Sequence, residues 1–143
     1  PLTVARHRPS GRTCFALGTL SFDEAYDLFA EEVRAGVEAG VDLFIIETMT
    51  DLAEIKAAVL ACRENSELPV FATMTFEEDG RTFLGTSPEV AAITLDAIGA
   101  DVLGINCSQG PAELRGSPHA CSPLPTSPLW CRPTRDSPRG RRR

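Results

Sequence analysis

The stretch ADVLGINCSQGP, residues 100–111, climbs through the apolar Val102, Leu103 and Ile105 and then stops on Asn106 and Cys107 before a Ser-Gln-Gly-Pro turn. A buried thiol is usually a small hydrophobe, whereas one at the tip of a strand beside an amide is placed to be a metal ligand or a nucleophile. A second apolar run, FIIE, ends on Glu47 and is followed by Thr48. A carboxylate there either caps the next helix or receives a cationic group such as an amine. A third run ends on Thr73 and Thr75. A catalytic zinc takes three protein ligands, and no spacing around Cys107 supplies the other two. His7 and His119 lie in irregular segments and form no H-x-x-x-H pair. From spacing alone, Cys107 is a candidate and no more. The other cysteines, at 14, 62, 121 and 131, bring the total to an odd five without a C-x-x-C. That count argues against a disulfide framework and for a reduced compartment, with Cys62 packed in a core.

The elements that must carry these residues are legible between positions 20 and 114. SFDEAYDLFAEEVRAGVEAG opens on Ser21 with Glu24 three residues on, a capping box. Phe22, Tyr26, Phe29, Val33 and Val37 recur at helical spacing, and Gly40 supplies the stop. VDLFIIE follows as a continuous apolar run, as expected of a strand covered on both faces. In TDLAEIKAAVLACRENS, Asp51 and Glu54 form a second box, and Leu52, Ile55, Val59 and Cys62 share a stripe. LPVFATMTF is the next strand, and EEDGRTFLGT a polar loop with an Asp79-Gly80 turn. SPEVAAITLDAIGA is a helix with Ser87 as cap, Pro88 at its first position, and Ala91, Leu95 and Ile98 inward. DVLGIN is the last strand of the series.

Strands alternating with helices about every 30 residues imply βαβ units and a parallel α/β sheet. An open doubly wound sheet and a (β/α)8 barrel compete for this pattern. No G-x-G-x-x-G turn favours the first. Polar groups at three successive strand ends favour the second, because a barrel gathers those ends at one mouth, where its active site lies. A whole barrel takes about 250 residues, so a chain of 143 holds about half of a TIM barrel. Asp42 and Asp101 precede their strands and read as loop residues at the opposite end.

These motifs resemble those of the homocysteine S-methyltransferase family. DLFIIETMTDLAEIKAAVLA, LPVFATMTFEEDGRTFLGTSPE and above all GADVLGINCSQGPAEL carry the likeness, over residues 17–114. The nearest subfamily is the homocysteine-binding module of cobalamin-dependent methionine synthases. The resemblance implies a zinc-dependent (β/α)8 barrel that transfers a methyl group to homocysteine to give methionine. It makes Cys107 the first zinc-ligating cysteine and Glu47 the contact for the homocysteine amino group, with Asn106 shaping the pocket. Zinc on the homocysteine sulfur would hold it as the attacking thiolate. The donor would be methylcobalamin on a separate module, absent from this chain; betaine or S-methylmethionine serves other relatives.

The family pattern also includes an adjacent pair of zinc cysteines, and this chain contains no Cys-Cys. With one zinc ligand of three, the chain is expected to bind zinc poorly and to be inactive alone, or to act as a non-catalytic fragment or pseudo-enzyme with a binding role. A half-barrel leaves sheet edges open, which predicts self-association. Residues 1–16 read as a degraded start, since ARHRP breaks the expected strand. Residues 115–143 hold six of the eleven prolines and show no helical or strand period. With suitable codons, PLPTSPLWCRPTRDSP read two bases out of phase becomes AADIPLVVQANAGLP, a strand and turn of the kind the family shows next. An out-of-frame tail beginning between Leu114 and Pro123 is the expectation, and the coding DNA decides it.

The net charge of −6 divides into an acidic body, −12 over residues 1–114, and a basic tail, +6 over residues 115–143. The acidic body argues against a nucleic-acid footprint; the basic tail has the charge of a nucleic-acid arm but lacks interleaved aromatics beyond Trp130. No apolar run reaches the ~20 residues of a membrane span, and no signal-peptide core opens the chain. A cytoplasmic protein without nucleic-acid or membrane partners is expected.

Overall fold

The computed structural model describes residues 3–9 and 18–107, together with the strand at 129–132. Five strands, β1 (Val4–His7), β2 (Leu43–Met49), β3 (Val70–Met74), β4 (Val102–Asn106) and β5 (Leu129–Arg132), form one sheet in the order β1-β2-β3-β4-β5. Every neighbouring pair is parallel. Helices α1 (Phe22–Glu38), α2 (Leu52–Asn65) and α3 (Pro88–Ala97) make the crossovers between β1 and β4. A doubly wound sheet reverses its strand order at a switch point. This one runs in chain order throughout, which is the winding of a barrel wall.

The helices start where capping chemistry dictates. The Ser21 hydroxyl accepts from Glu24 N at 3.2 Å while the Glu24 carboxylate accepts from Ser21 N at 2.9 Å, the reciprocal box. Asp51 caps α2 through Ala53 N at 2.8 Å, and Ser87 caps α3 ahead of Pro88. Gly40, at φ +75°, follows the end of α1 in a left-handed conformation that a side chain disfavours.

The sheet's two faces are told apart by the alternation of the strands. Phe44 and Ile46 of β2 are wholly buried, whereas Ile45 between them is half-buried, as are Phe71 of β3 and Val102 of β4. Phe44 lies on the helical face: a Cβ added to Gly36 of α1 would come within 2.9 Å of its ring. The core between sheet and helices is built from Phe44, Ile46, Ile55, Val59, Val70 and Leu95 among others. Each large side chain so buried contributes roughly 1.5–3 kcal/mol.

Two expectations need correction. β1 forms through the segment read as degraded, because its basic residues alternate: Arg6 is exposed, whereas His7 is buried against Phe29 of α1 and stacked on Phe44. Period-two alternation satisfies a strand whatever the residues' charges, so His7 belongs to a strand and not to an irregular segment. Leu129–Arg132 lie in the tail read as irregular, yet they pair with Leu103–Asn106. Leu-Trp-Cys is a short run of strand-compatible residues between prolines, too brief to show a period. The 110–111 turn, Cys14, His119 and Cys121 lie outside the described residues.

Asp42 and Asp101 do sit at the opposite end, where each staples neighbouring strand starts. Thr3 N donates to Asp42 Oδ2 at 2.6 Å, and Val70 N donates to Asp101 Oδ2 at 2.7 Å. Arg63 Nη2 reaches the same Asp101 oxygen at 2.5 Å. No described helix is long and apolar enough to cross a membrane.

Candidate functional site

The C-terminal ends of β2, β3 and β4 are stitched together by one side-chain amide. Asn106 is 2% exposed. Its Oδ1 accepts from Thr48 N on β2 and from Thr73 Oγ1 on β3, both at 2.9 Å. Its Nδ2 donates to Thr48 Oγ1 at 2.8 Å and to Cys107 Sγ at 3.5 Å. An asparagine amide offers two acceptor sites and two donor hydrogens, and all four are used. The backbone N–H of Thr48 can only donate, which fixes the amide's orientation. The Asn106 carbonyl in turn accepts from Thr75 Oγ1 at 3.0 Å.

This amide holds two residues in a conformation they do not favour. Thr48 has φ +66° and Cys107 φ +52°, the two positive-φ residues other than glycine among those described. For a β-branched residue such a φ costs on the order of 1–3 kcal/mol and persists only where the surroundings enforce it. At Thr48 both the backbone N–H and the hydroxyl are engaged by Asn106. The same place carries a bulge: between the pairs Ile46↔Ala72 and Met49↔Met74, β2 holds one residue more than β3. Bulges re-aim side chains at the ends of strands, and here the bulge contains Glu47 and Thr48.

Glu47 is buried, its side chain 6% exposed, with Oε1 3.3 Å from Nε of Arg8, a side chain 72% exposed. A buried carboxylate needs a partner, and the rim cation supplies one. Cys107 is exposed at the tip of β4, its sulfur 3.9 Å from the Thr48 hydroxyl as well as within reach of Asn106. Glu47 and Cys107, the two principal candidates from the sequence, thus end β2 and β4 at the same edge of the sheet, with β3 between them. Asn106, expected only to shape the pocket, is the joint that connects all three strands. The strand-end threonines were visible in the sequence; the part played by Thr48, and Arg8 as partner of Glu47, were not.

The two thiols described in full differ in accessibility: Cys107 is exposed and Cys62 buried. Cys62 of α2 is wholly buried, and desolvation pushes its thiol up to about 12, with Arg63 lowering it less. Iodoacetamide at about pH 8 is therefore expected to modify Cys107 in the native chain and to spare Cys62 until the chain unfolds, which peptide mapping by mass spectrometry reads directly. Because the folded thiol titrates above its ordinary 9.0, its contribution to stability is present below that pH and declines as pH rises toward about 12. Cys62→Ala is expected to flatten that alkaline decline; an unchanged slope would show that Cys62 does not cause it.

As for metal binding, Cys107 is a soft, accessible donor of the kind zinc takes. Among the described residues no group of three or more His, Cys, Asp or Glu stands together. The described residues thus offer one donor of a kind that zinc accepts and no group that would complete a site.

Comparison with known proteins places the chain in a family. The methionine synthase of Mycobacterium tuberculosis (strain ATCC 25618 / H37Rv) is 34% identical over 103 residues, which is 68% of this chain and 9% of that protein. The methionine synthase of Mycobacterium leprae (strain TN) is 32% identical over 122 residues, 78% of this chain and 10% of its own length. The chain therefore spans about a tenth of each of these relatives. Among solved structures, the apo form of the homocysteine methyltransferase MmuM from Escherichia coli superposes with a TM-score of 0.64 at 22% identity, covering 74% of this chain and 39% of that one. Its metallated form gives 0.58 at 21% identity, covering 66% and 33%. At these identities the structures establish the fold, part of a (β/α)8 barrel. The profile of the homocysteine S-methyltransferase family matches residues 2–141, extending on both sides of the 17–114 stretch that carries the motifs. With a match over nearly the whole length and methionine synthase relatives above 30% identity, the chain belongs to the homocysteine S-methyltransferase family.

Proposed function

We propose that this chain supplies the homocysteine-binding wall of a methyl-transfer barrel, with Glu47 receiving the substrate ammonium and Cys107 standing beside its sulfur. The observation that supports this most is the placement of an accessible thiol in a left-handed turn held by Asn106, on the same sheet edge as a buried carboxylate. A purely structural cysteine has no need of a strained, solvent-facing position. Glu47 binds and orients: a carboxylate held in a mostly apolar wall is a strong partner for an ammonium, because charge-assisted hydrogen bonds gain in a desolvated setting. Asn106 and Thr48 orient the Cys107 sulfur.

In this reading Cys107 is one ligand of a zinc ion. When bound, zinc would polarise the homocysteine sulfur and favour its thiolate, the form that accepts a methyl group. A catalytic zinc needs two further protein donors, and among the described residues no such group stands with Cys107, so the chain alone is expected to hold zinc weakly. The likeness to methionine synthases favours methylcobalamin, carried on another module, as the methyl source.

The test is an NMR titration of the full chain with L-homocysteine under reducing conditions. Saturable shifts at the amides of Glu47, Thr48, Asn106 and Cys107 are expected, with Glu47→Gln weakening binding roughly tenfold. Added cobalt(II) should produce a thiolate charge-transfer band that Cys107→Ser removes. Absence of saturable shifts at these amides would overturn the substrate assignment, and a band indifferent to Cys107→Ser would overturn the ligand assignment.

A further inference from the structure

We infer that Arg8 is a specificity-determining residue of this site: together with Glu47 it forms a two-charge clamp for a zwitterionic α-amino acid, its guanidinium taking the substrate carboxylate. The inference rests on the homocysteine reading above and adds to it the recognition of the other end of the substrate. An α-amino acid presents an ammonium and a carboxylate on one carbon. A pocket that reads both needs an anion and a cation side by side, and Glu47 with Arg8 is such a pair, 3.3 Å apart.

Three features distinguish a clamp from a neutralising contact. The first is the division of donors. Arg8 faces Glu47 through Nε, and its two terminal NH2 groups have no protein partner among the described residues. An arginine offers five N–H donors in a planar fork suited to bidentate carboxylate binding, so the fork is available while Nε stays on Glu47. The second is the asymmetry of burial. Glu47 is fixed in the wall and Arg8 sits at the rim, where an arriving carboxylate meets it first.

The third is anchorage. The register pairs His7 with Ile46, so Arg8 follows β1 just where Glu47 follows on β2. His7 is tied down: it is 3% exposed, its Nδ1 lies 2.5 Å from Glu32 Oε2, and its ring stacks on Phe44 at a centroid distance of 5.4 Å. The backbone that carries Arg8 is thereby held, although its side chain reaches into solvent. A long cation on an anchored stem beside a buried anion is suited to closing over a small zwitterion.

The experiment uses the full chain and three thiols: L-homocysteine, its decarboxylated analogue mercaptopropylamine, and its deaminated analogue mercaptobutyrate. Binding is read by NMR titration for the wild type, Arg8→Gln, Arg8→Lys and Glu47→Gln. Arg8→Gln is expected to weaken L-homocysteine and mercaptobutyrate roughly tenfold and to leave mercaptopropylamine unweakened. Arg8→Lys should recover only part of the loss, since a lysine lacks the fork. Glu47→Gln should instead weaken the two ligands that carry an ammonium. Because Arg8 is at the rim, an unchanged amide spectrum away from the site serves as the check on folding.

Two results would overturn the clamp alone: L-homocysteine binding that is blind to Arg8→Gln, or binding that tightens, which would make Arg8 a plug that the ammonium must displace. Failure of the wild type to bind any of the three thiols overturns the homocysteine reading and the clamp with it.

Discussion

Asn106→Leu is expected to lower the unfolding free energy of the chain by about 3 kcal/mol, read as a fall in denaturant midpoint at unchanged slope. Leucine matches asparagine in size but neither accepts nor donates. Thr48 N and the Thr73 hydroxyl would lose their acceptor, at roughly 1–3 kcal/mol for each buried group left unpaired. The hydroxyl can recover part of this, since Thr73 Oγ1 also lies 3.4 Å from the Ile46 carbonyl. The backbone N–H of Thr48 cannot turn elsewhere. A loss below 1 kcal/mol would show that water replaces the amide and that the network does not hold the strand ends.

A double-mutant cycle isolates the reason for the effect. If Asn106 holds Thr48 at its positive φ, then in a Thr48→Gly background, where that conformation is nearly free of strain, the cost of Asn106→Leu should shrink by 1 kcal/mol or so. Equal costs in both backgrounds would mean that the amide serves the strands and not the strained turn. The same substitution bears on function. Cys107 takes one hydrogen bond from Asn106 and neighbours the Thr48 hydroxyl, so both orienting contacts are disturbed at once. Iodoacetamide modification of Cys107 should therefore change rate in Asn106→Leu while Cys62 stays protected.

How far the sequence disclosed this molecule depends on the range of the interactions involved. The three helices and their caps were legible because Ser21, Asp51 and Ser87 act on backbone groups a few residues away. The strands of the wall were legible as apolar runs, and the barrel winding followed from polar residues at their ends. β1 was not legible, because the alternation of Arg6 and His7 has meaning only once α1 and Phe44 are in place to cover the histidine. At the site, Glu47 and Cys107 were legible as strand-end residues of a family-like motif. The bulge that re-aims Glu47 was not, since a register shift belongs to two strands together. Nor was the centrality of Asn106, whose bonds to Thr48 span 58 positions, or the pairing of Glu47 with Arg8, which follows a different strand.

Phe44→Ala is the substitution expected to cost most, about 4 kcal/mol, in the range found for truncating a fully buried phenylalanine. Its ring is wholly buried, stacked on His7 on one side and approached by α1 at Gly36 on the other. The packing there is tight enough to make a second prediction of opposite sign in two backgrounds. In the wild type, Gly36→Ala places a methyl 2.9 Å from Cε1 and 3.2 Å from Cζ of a ring that cannot retreat. Overpacking of this kind costs about 1–3 kcal/mol, more than the ~1 kcal/mol that alanine gains over glycine inside a helix. Gly36→Ala should therefore destabilise the wild type. In Phe44→Ala the ring is gone, the nearest remaining atom is Ala5 Cβ at an ordinary 3.6 Å, and the helix preference should prevail, making the same substitution stabilising. Denaturant unfolding of the four proteins measures both signs, and a destabilising Gly36→Ala in both backgrounds would refute the account. The outcome reaches the site as well. Phe44 holds His7, and His7 holds the backbone from which Arg8 extends to Glu47, so the loss of one ring on the helical face should loosen the ion pair on the other and weaken L-homocysteine binding without any change to a residue that touches it.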